Sequence, residues 1–200
     1  MDEGYIKFKA SWSKTEPLDF SVIAVLNNWR QKLYEARLIG AYENGIGFGN
    51  ISQRWKDQGQ FIISGSKTGL IKHTSSRHYS KVVGFNLEKN NLQCEGPVIA
   101  SSESMSHAVI YQECPDVTAV VPVPHLPLRQ RLLNQVPTPP PEATYGSPEM
   151  ARAIIELLNN SDLKDRKIFV MAGHEEGIFT FGETLEEAGN LILDIVGQLG

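Results

Sequence analysis

The sequence predicts a mixed α/β domain in which helices cover one sheet, and three features carry that reading. A helix-periodic apolar stripe comes early, a succession of short β-rich segments follows, and two capped amphipathic segments come late. Leu18, Val22, Leu26, Trp29, Leu33 and Ala36 fall at helical spacing over residues 18–38, after Pro17 near the first turn. That stretch is expected to be a helix whose stripe, Trp29 included, faces the core. The run Gly45-Ile46-Gly47-Phe48-Gly49-Asn50 then changes the backbone regime, because repeated glycine suits turns and close approach to a ligand or another segment. Strand-like segments follow at residues 61–64, 82–87, 117–121, 167–171 and 177–181. The prolines of Val136-Pro137-Thr138-Pro139-Pro140-Pro141 resist both helix and central strand, which predicts a stiff surface connection. Ser147-Pro148-Glu149 opens one late helix with a capping hydroxyl, a first-turn proline and an acid at the positive end of the dipole. Thr184-Leu185-Glu186-Glu187 opens the other as a capping box.

Length and composition bound the function. The 200 residues are read as a single domain spanning 1–200, large enough to bury a core without disulfide or metal staples. Hydrophobic residues make up 41% and charged residues 21%, and the formal net charge of -4 supplies no field to attract nucleic acid or an anionic membrane. No segment approaches the roughly 18 uninterrupted apolar residues of a membrane helix. Cys94 and Cys114 form no dense pattern, and residues 1–10 lack a continuous apolar run, so a reducing, cytoplasmic setting is expected.

Several local motifs stand in a telling order. They are Gly49-Asn50-Ile51-Ser52-Gln53-Arg54, Ile63-Ser64-Gly65-Ser66-Lys67-Thr68-Gly69, Ser101-Ser102-Glu103 with His107 four residues on, Val120-Val121-Pro122-Val123-Pro124-His125, and Gly173-His174 leading into Gly177-Ile178-Phe179-Thr180-Phe181-Gly182. Each is weak alone, but the order over roughly residues 18–195 resembles the class II aldolase/adducin family. The resemblance implies a three-layer α/β/α domain around a central, largely antiparallel sheet, often assembled as a homo-oligomeric ring of four subunits. It also implies a zinc or similar divalent ion, held by an acid, a His-x-His strand pair and a later histidine. Cleaving a carbon–carbon bond in a sugar phosphate leaves an enediolate, whose charge such a Lewis acid stabilises.

Carried over residue by residue, Glu103 matches the family's acid, a proton-transfer residue and metal ligand, and His174 matches the last histidine. Pro122 and Pro124 fall where the strand pair should be, and proline has no lone pair to offer a metal. The expected site is therefore an altered one, with metal weak or absent and aldol cleavage or epimerisation reduced or lost. A relocated metal site is the alternative, because Glu103 and His107 share a helix face and His174 would complete the set. His125 is offset by one residue on the strand and would need a bulge to reach the same place. Asn50, Ser66, Lys67, Thr68, Gly69, Ser101 and Ser102 resemble the family's phosphate-holding segments, so a small phosphorylated or carboxylated ligand is expected. A non-catalytic assembly module like the adducin head is a further alternative, since a fold can outlive its chemistry.

Overall fold

In a computed structural model, residues 6–56, 59–173 and 177–198 are described. His174, predicted as a metal ligand, lies outside the described residues. Eight strands form one sheet in the order β1-β7-β6-β5-β4-β8-β10-β9. They are β1 (Lys9–Lys14), β4 (Ser52–Arg54), β5 (Phe61–Ser64), β6 (Tyr79–Asn86), β7 (Asn91–Gly96), β8 (Ala119–Pro124), β9 (Ile168–Val170) and β10 (Gly177–Gly182), while β2 (Gly40–Ala41) and β3 (Gly47–Phe48) make a small separate hairpin. Every pairing in the large sheet is antiparallel except that of β1 with β7. The largely antiparallel sheet expected from the motifs is therefore present.

Helices cover both faces. On one face, α2 (Ser104–Glu113) and α4 (Pro148–Asn160) bury Met105, Ala108, Val109, Met150 and Ile154 against Phe61, Val120, Phe179 and Phe181, with the short α5 (Leu163–Arg166) beside them. On the other, α1 (Phe20–Glu35), α3 (Leu126–Leu132) and α6 (Leu185–Gly197) bury Ile23, Leu26, Leu33, Leu128 and Ile192 against Ile62, Val121, Val123 and Ile178. Alternate residues of β8 thus feed opposite cores, as the two-residue period of a strand requires. Burial on both faces explains why β8 reads as a continuous apolar run and not as an alternating one.

The caps follow the sequence with small displacements. Ser147 Oγ accepts from Met150 N–H at 3.2 Å, and Thr184 Oγ1 accepts from Glu187 N–H at 3.0 Å. Only half of the expected box closes at Thr184, because the Glu187 carboxylate reaches one residue further back to Glu183 N–H at 2.7 Å. The first helix begins at Phe20 and not at residue 18, since Asp19 supplies its cap by accepting from Ser21 N–H at 2.8 Å. Trp29 is in the core as expected, and α6 makes room for it with Gly189, where an added Cβ would sit 2.5 Å from the indole ring.

Two buried polar arrangements fix the interior. Arg30, on α1 and fully buried, donates from Nη1 to the carbonyl of Lys72 at 3.1 Å and from Nη2 to those of Thr68 at 3.1 Å and Gly69 at 3.3 Å. Burial lowers its pKa from the ordinary guanidinium value, and among the described residues no carboxylate pairs with it. Position 69 must be glycine for the loop to lie this close, because an added Cβ would sit 1.9 Å from the Gly40 carbonyl. On the other face, His107 Nδ1 lies 2.6 Å from Ser52 Oγ, which lies 2.7 Å from Tyr111 Oη, and His107 Nε2 is buried with no protein partner. Full burial pushes the His107 imidazole down to about 3 and keeps it neutral.

Both arrangements yield measurable consequences. Arg30→Met leaves three loop carbonyls without their donor, and a loss of about 3 kcal/mol is expected in urea denaturation. For His107 the folded pKa is depressed, so its contribution is intact above the unfolded value of 6.5 and is lost as pH falls toward about 3, where only the unfolded chain takes the proton. Wild-type stability should therefore fall more steeply between pH 6 and 4 than that of His107→Gln, by up to about 1.4 kcal/mol per pH unit. Equal slopes in the two proteins would contradict a neutral, buried imidazole.

Candidate functional site

A cavity of about 770 Å³ opens where the ends of β8 and β10 meet the β2–β3 hairpin, the loop after β5 and the start of α2. Asn50, Ser66, Lys67, Thr68, Gly69, Ser101, Ser102 and Glu103 all line it, so the fold gathers the predicted ligand-binding residues and the predicted acid around one space. Pro122 and Pro124 line it too.

The polar wall is built from turns and one helix start. Glu103 occupies the N-cap position of α2, and its carboxylate accepts from Asn50 Nδ2. Asn50 is 5% exposed, its Oδ1 is buried without a partner, and its N–H donates to the Pro122 carbonyl at 3.2 Å. The residue therefore braces β8 and the acid together, its backbone N–H on the strand and its side-chain amide on the carboxylate. Ser101 Oγ accepts from Glu103 N–H at 3.4 Å, and the Ser101 carbonyl accepts from Ser104 Oγ at 2.6 Å, which pins the residues entering the helix. Lys67 stands at the exposed rim in a left-handed conformation, with φ 62°. Thr68 is buried and its hydroxyl donates to the Gly65 carbonyl at 2.7 Å, so it holds the loop's shape.

The rest of the lining near β8 and β10 is carbon. Register pairs Pro122 with Phe179 and Pro124 with Gly177 across β8 and β10, and Met171 follows at the end of β9. Proline lacks the N–H of a ladder donor and is normally kept from a central strand. Here it is tolerated because of hydrogen-bonding parity. Val121 and Val123 alternate with the prolines along β8, and the Asn50 N–H bond to the Pro122 carbonyl shows that Pro122 faces the β4 side. β4 ends at Ser52, opposite Val120, so Pro124 lies beyond its last paired residue. β8 runs unbroken from Ala119 to Pro124, without the bulge that His125 would need to reach the same place as the prolines.

The remaining histidines fall in different places. His107 is fully buried one helical turn beyond Glu103, with its ring edge toward Phe179 at a centroid distance of 6.0 Å, and it does not line the cavity. His125 Nδ1 accepts from Leu128 N–H at 3.1 Å and caps α3. Among the described residues, no three of His, Cys, Asp and Glu lie close enough together to hold a metal ion. The described donor set at the cavity therefore does not fit a tetrahedral zinc centre, which takes about three protein ligands even when one position is left open.

Sequence reasoning passed over several wall residues. Tyr42 and Phe48, whose rings lie 4.7 Å apart, line the cavity from the hairpin, and Tyr145 and Met171 line it from connecting segments. The glycine run pointed to the hairpin, but nothing local marks Tyr145 or Met171. Arg30 is also missed, because its partners lie 38 to 42 residues away.

Comparison with known proteins follows the same lines. Residues 36–123 match the model of the Class II Aldolase and Adducin N-terminal domain. An L-fuculose 1-phosphate aldolase is 20% identical with a TM-score of 0.65, over 91% of this chain and 84% of that one. YgbL from Klebsiella pneumoniae is 17% identical with a TM-score of 0.64, over 88% and 84%. A sugar-phosphate aldolase from Thermotoga maritima is 15% identical with a TM-score of 0.59, over 89% and 96%. No curated protein sequence matches the chain. Identities this low speak for the fold, and the matched segment contains Asn50, Glu103 and Pro122 and stops one residue short of Pro124. Residues 36–123 thus resemble the class II aldolase and adducin domain, and the chain shares the fold of these structures.

Proposed function

We propose that this chain is a divergent class II aldolase-family protein that holds a small phosphorylated or carboxylated ligand and has an altered divalent-metal site, with metal-dependent aldol cleavage or epimerisation reduced or lost. One observation carries the reading: one cavity is lined by Asn50, Ser66, Lys67, Ser101, Ser102 and Glu103 and also by Pro122 and Pro124. Hydroxyls, a lysine and the start of a helix suit an anion. In this reading Ser101, Ser102 and Lys67 bind the anionic group, while Asn50 holds the Glu103 carboxylate where it can take or return a proton. The prolines supply rigid carbon surface where a metal-holding strand would need imidazole. The sugar-phosphate chemistry named for the L-fuculose 1-phosphate and Thermotoga maritima relatives guides the choice of anion.

Two measurements test this. Protein purified without chelator is expected to carry well under one transition-metal ion per chain by elemental analysis, and Pro122→His with Pro124→His is expected to raise zinc affinity by orders of magnitude. Stoichiometric zinc that disappears in Glu103→Gln would overturn the altered-metal reading. Inorganic phosphate is expected to raise the thermal midpoint of the wild type, and Ser101→Ala with Ser102→Ala is expected to remove that shift. An unchanged shift in the double variant would place the anion elsewhere.

A further inference from the structure

The two walls of the cavity differ in chemistry, and the difference bears on the body of the ligand and not on its charge. Pro122 and Phe179 are directly opposed in register, so their side chains stand together on the sheet face that α2 covers. Phe179 cannot swing away, because it stacks on Phe169 at 4.8 Å and meets the edge of His107 at 6.0 Å. Two strand residues on, Pro124 faces Gly177, which has no side chain to fill the space above it. Met171, 1% exposed, closes the end of this surface, and its N–H is held by the Gly177 carbonyl at 2.9 Å. From Pro122 to Pro124 is about 7 Å along an extended strand, close to the width of one six-membered ring.

None of these four side chains, Pro122, Pro124, Phe179 and Met171, offers an acidic proton or a strong acceptor. A hydroxyl laid against them would lose water and gain no partner, whereas a C–H surface would lose nothing. Tyr42 and Phe48 line the far side of the same cavity and add further carbon. Ser101, Ser102 and Lys67, by contrast, bring polar donors to the same cavity.

Building on the proposed anion pocket, we infer that its ligand is an organic anion with an apolar body about one ring in size, a phosphate monoester or carboxylate of an aryl or cyclic aliphatic group, in place of a polyhydroxylated chain. The polar wall selects the head and the proline floor selects the body. Affinity should then rise with the carbon surface of the ester and fall with its hydroxyl count.

Calorimetric titration of the full chain with inorganic phosphate, glycerol 3-phosphate and phenyl phosphate tests this. Phenyl phosphate is expected to bind at least tenfold more tightly than glycerol 3-phosphate. Pro122→Ser with Pro124→Ser is expected to narrow that ratio to below threefold while leaving inorganic phosphate affinity unchanged. If the double variant has no thermal transition, Pro124→Ser alone, at the half-buried end of the strand, is expected to halve the ratio or better. Equal affinity for the two esters, with inorganic phosphate still bound, overturns the apolar body and leaves the anion pocket standing. A tenfold preference that survives the serine substitutions overturns the role given to the prolines. No binding by any of the three probes overturns both readings.

Discussion

The cavity exists because two neighbouring strands have different lengths. The ladder between β4 and β8 ends at Ser52 while β8 continues to Pro124, so beyond one bond from Asn50 N–H to the Pro122 carbonyl the last residues of β8 pair only with β10. The chain segment that would have extended β4 turns away through Gly49 and Asn50, and the space it vacates is where the hairpin, the loop after β5 and the start of α2 converge. Sheet ends and strand-to-helix turns are common places for binding residues, since the ordered elements behind them hold loose segments in fixed positions. Here both the polar wall and the carbon wall depend on the same mismatch in strand length.

Around that gap the protein uses buried polar groups to hold parts that packing alone would leave loose. The His107, Ser52 and Tyr111 chain ties α2 to β4 from within the apolar layer, and so sets the angle at which Glu103 enters the cavity. Asn50 then bridges Glu103 and β8. A network of this kind specifies one arrangement because every alternative leaves a polar atom without water or partner. The orphan nitrogen of His107 and the orphan oxygen of Asn50 mark where that satisfaction is incomplete, and both lie within the layer that shapes the cavity.

Much of the fold could be read from the sequence where local preference and final burial agree. The apolar stripe from Leu18 to Ala36, the Ser147 and Thr184 caps and the β-rich run at residues 61–64 all agree in this way. β7 carried a two-residue alternation, with Leu92 and Cys94 buried between Asn91, Gln93 and Glu95, yet its polar character hid it among turns. β1 is almost wholly exposed, so no apolar pattern announced it. At the cavity, the motif order located the polar wall, whereas the carbon wall needed coordinates. Pro122 reads as a strand breaker until the register shows that its nitrogen points past the end of β4. His107 looks like an available ligand on a helix until Ser52, 55 residues away, is found against it.

Arg30 has an effect that reaches beyond the stability of the loop it supports. It is a permanent positive charge sealed beneath Thr68 and Gly69, two residues of the cavity wall, and it is met by carbonyl dipoles and the Tyr34 ring, not by a carboxylate. Dissolved ions screen a sealed charge far less than they screen an exposed lysine such as Lys67. Any attraction this wall would exert on an anion in the proposed pocket is thus divided into a part that added salt erases and a part that persists in concentrated electrolyte.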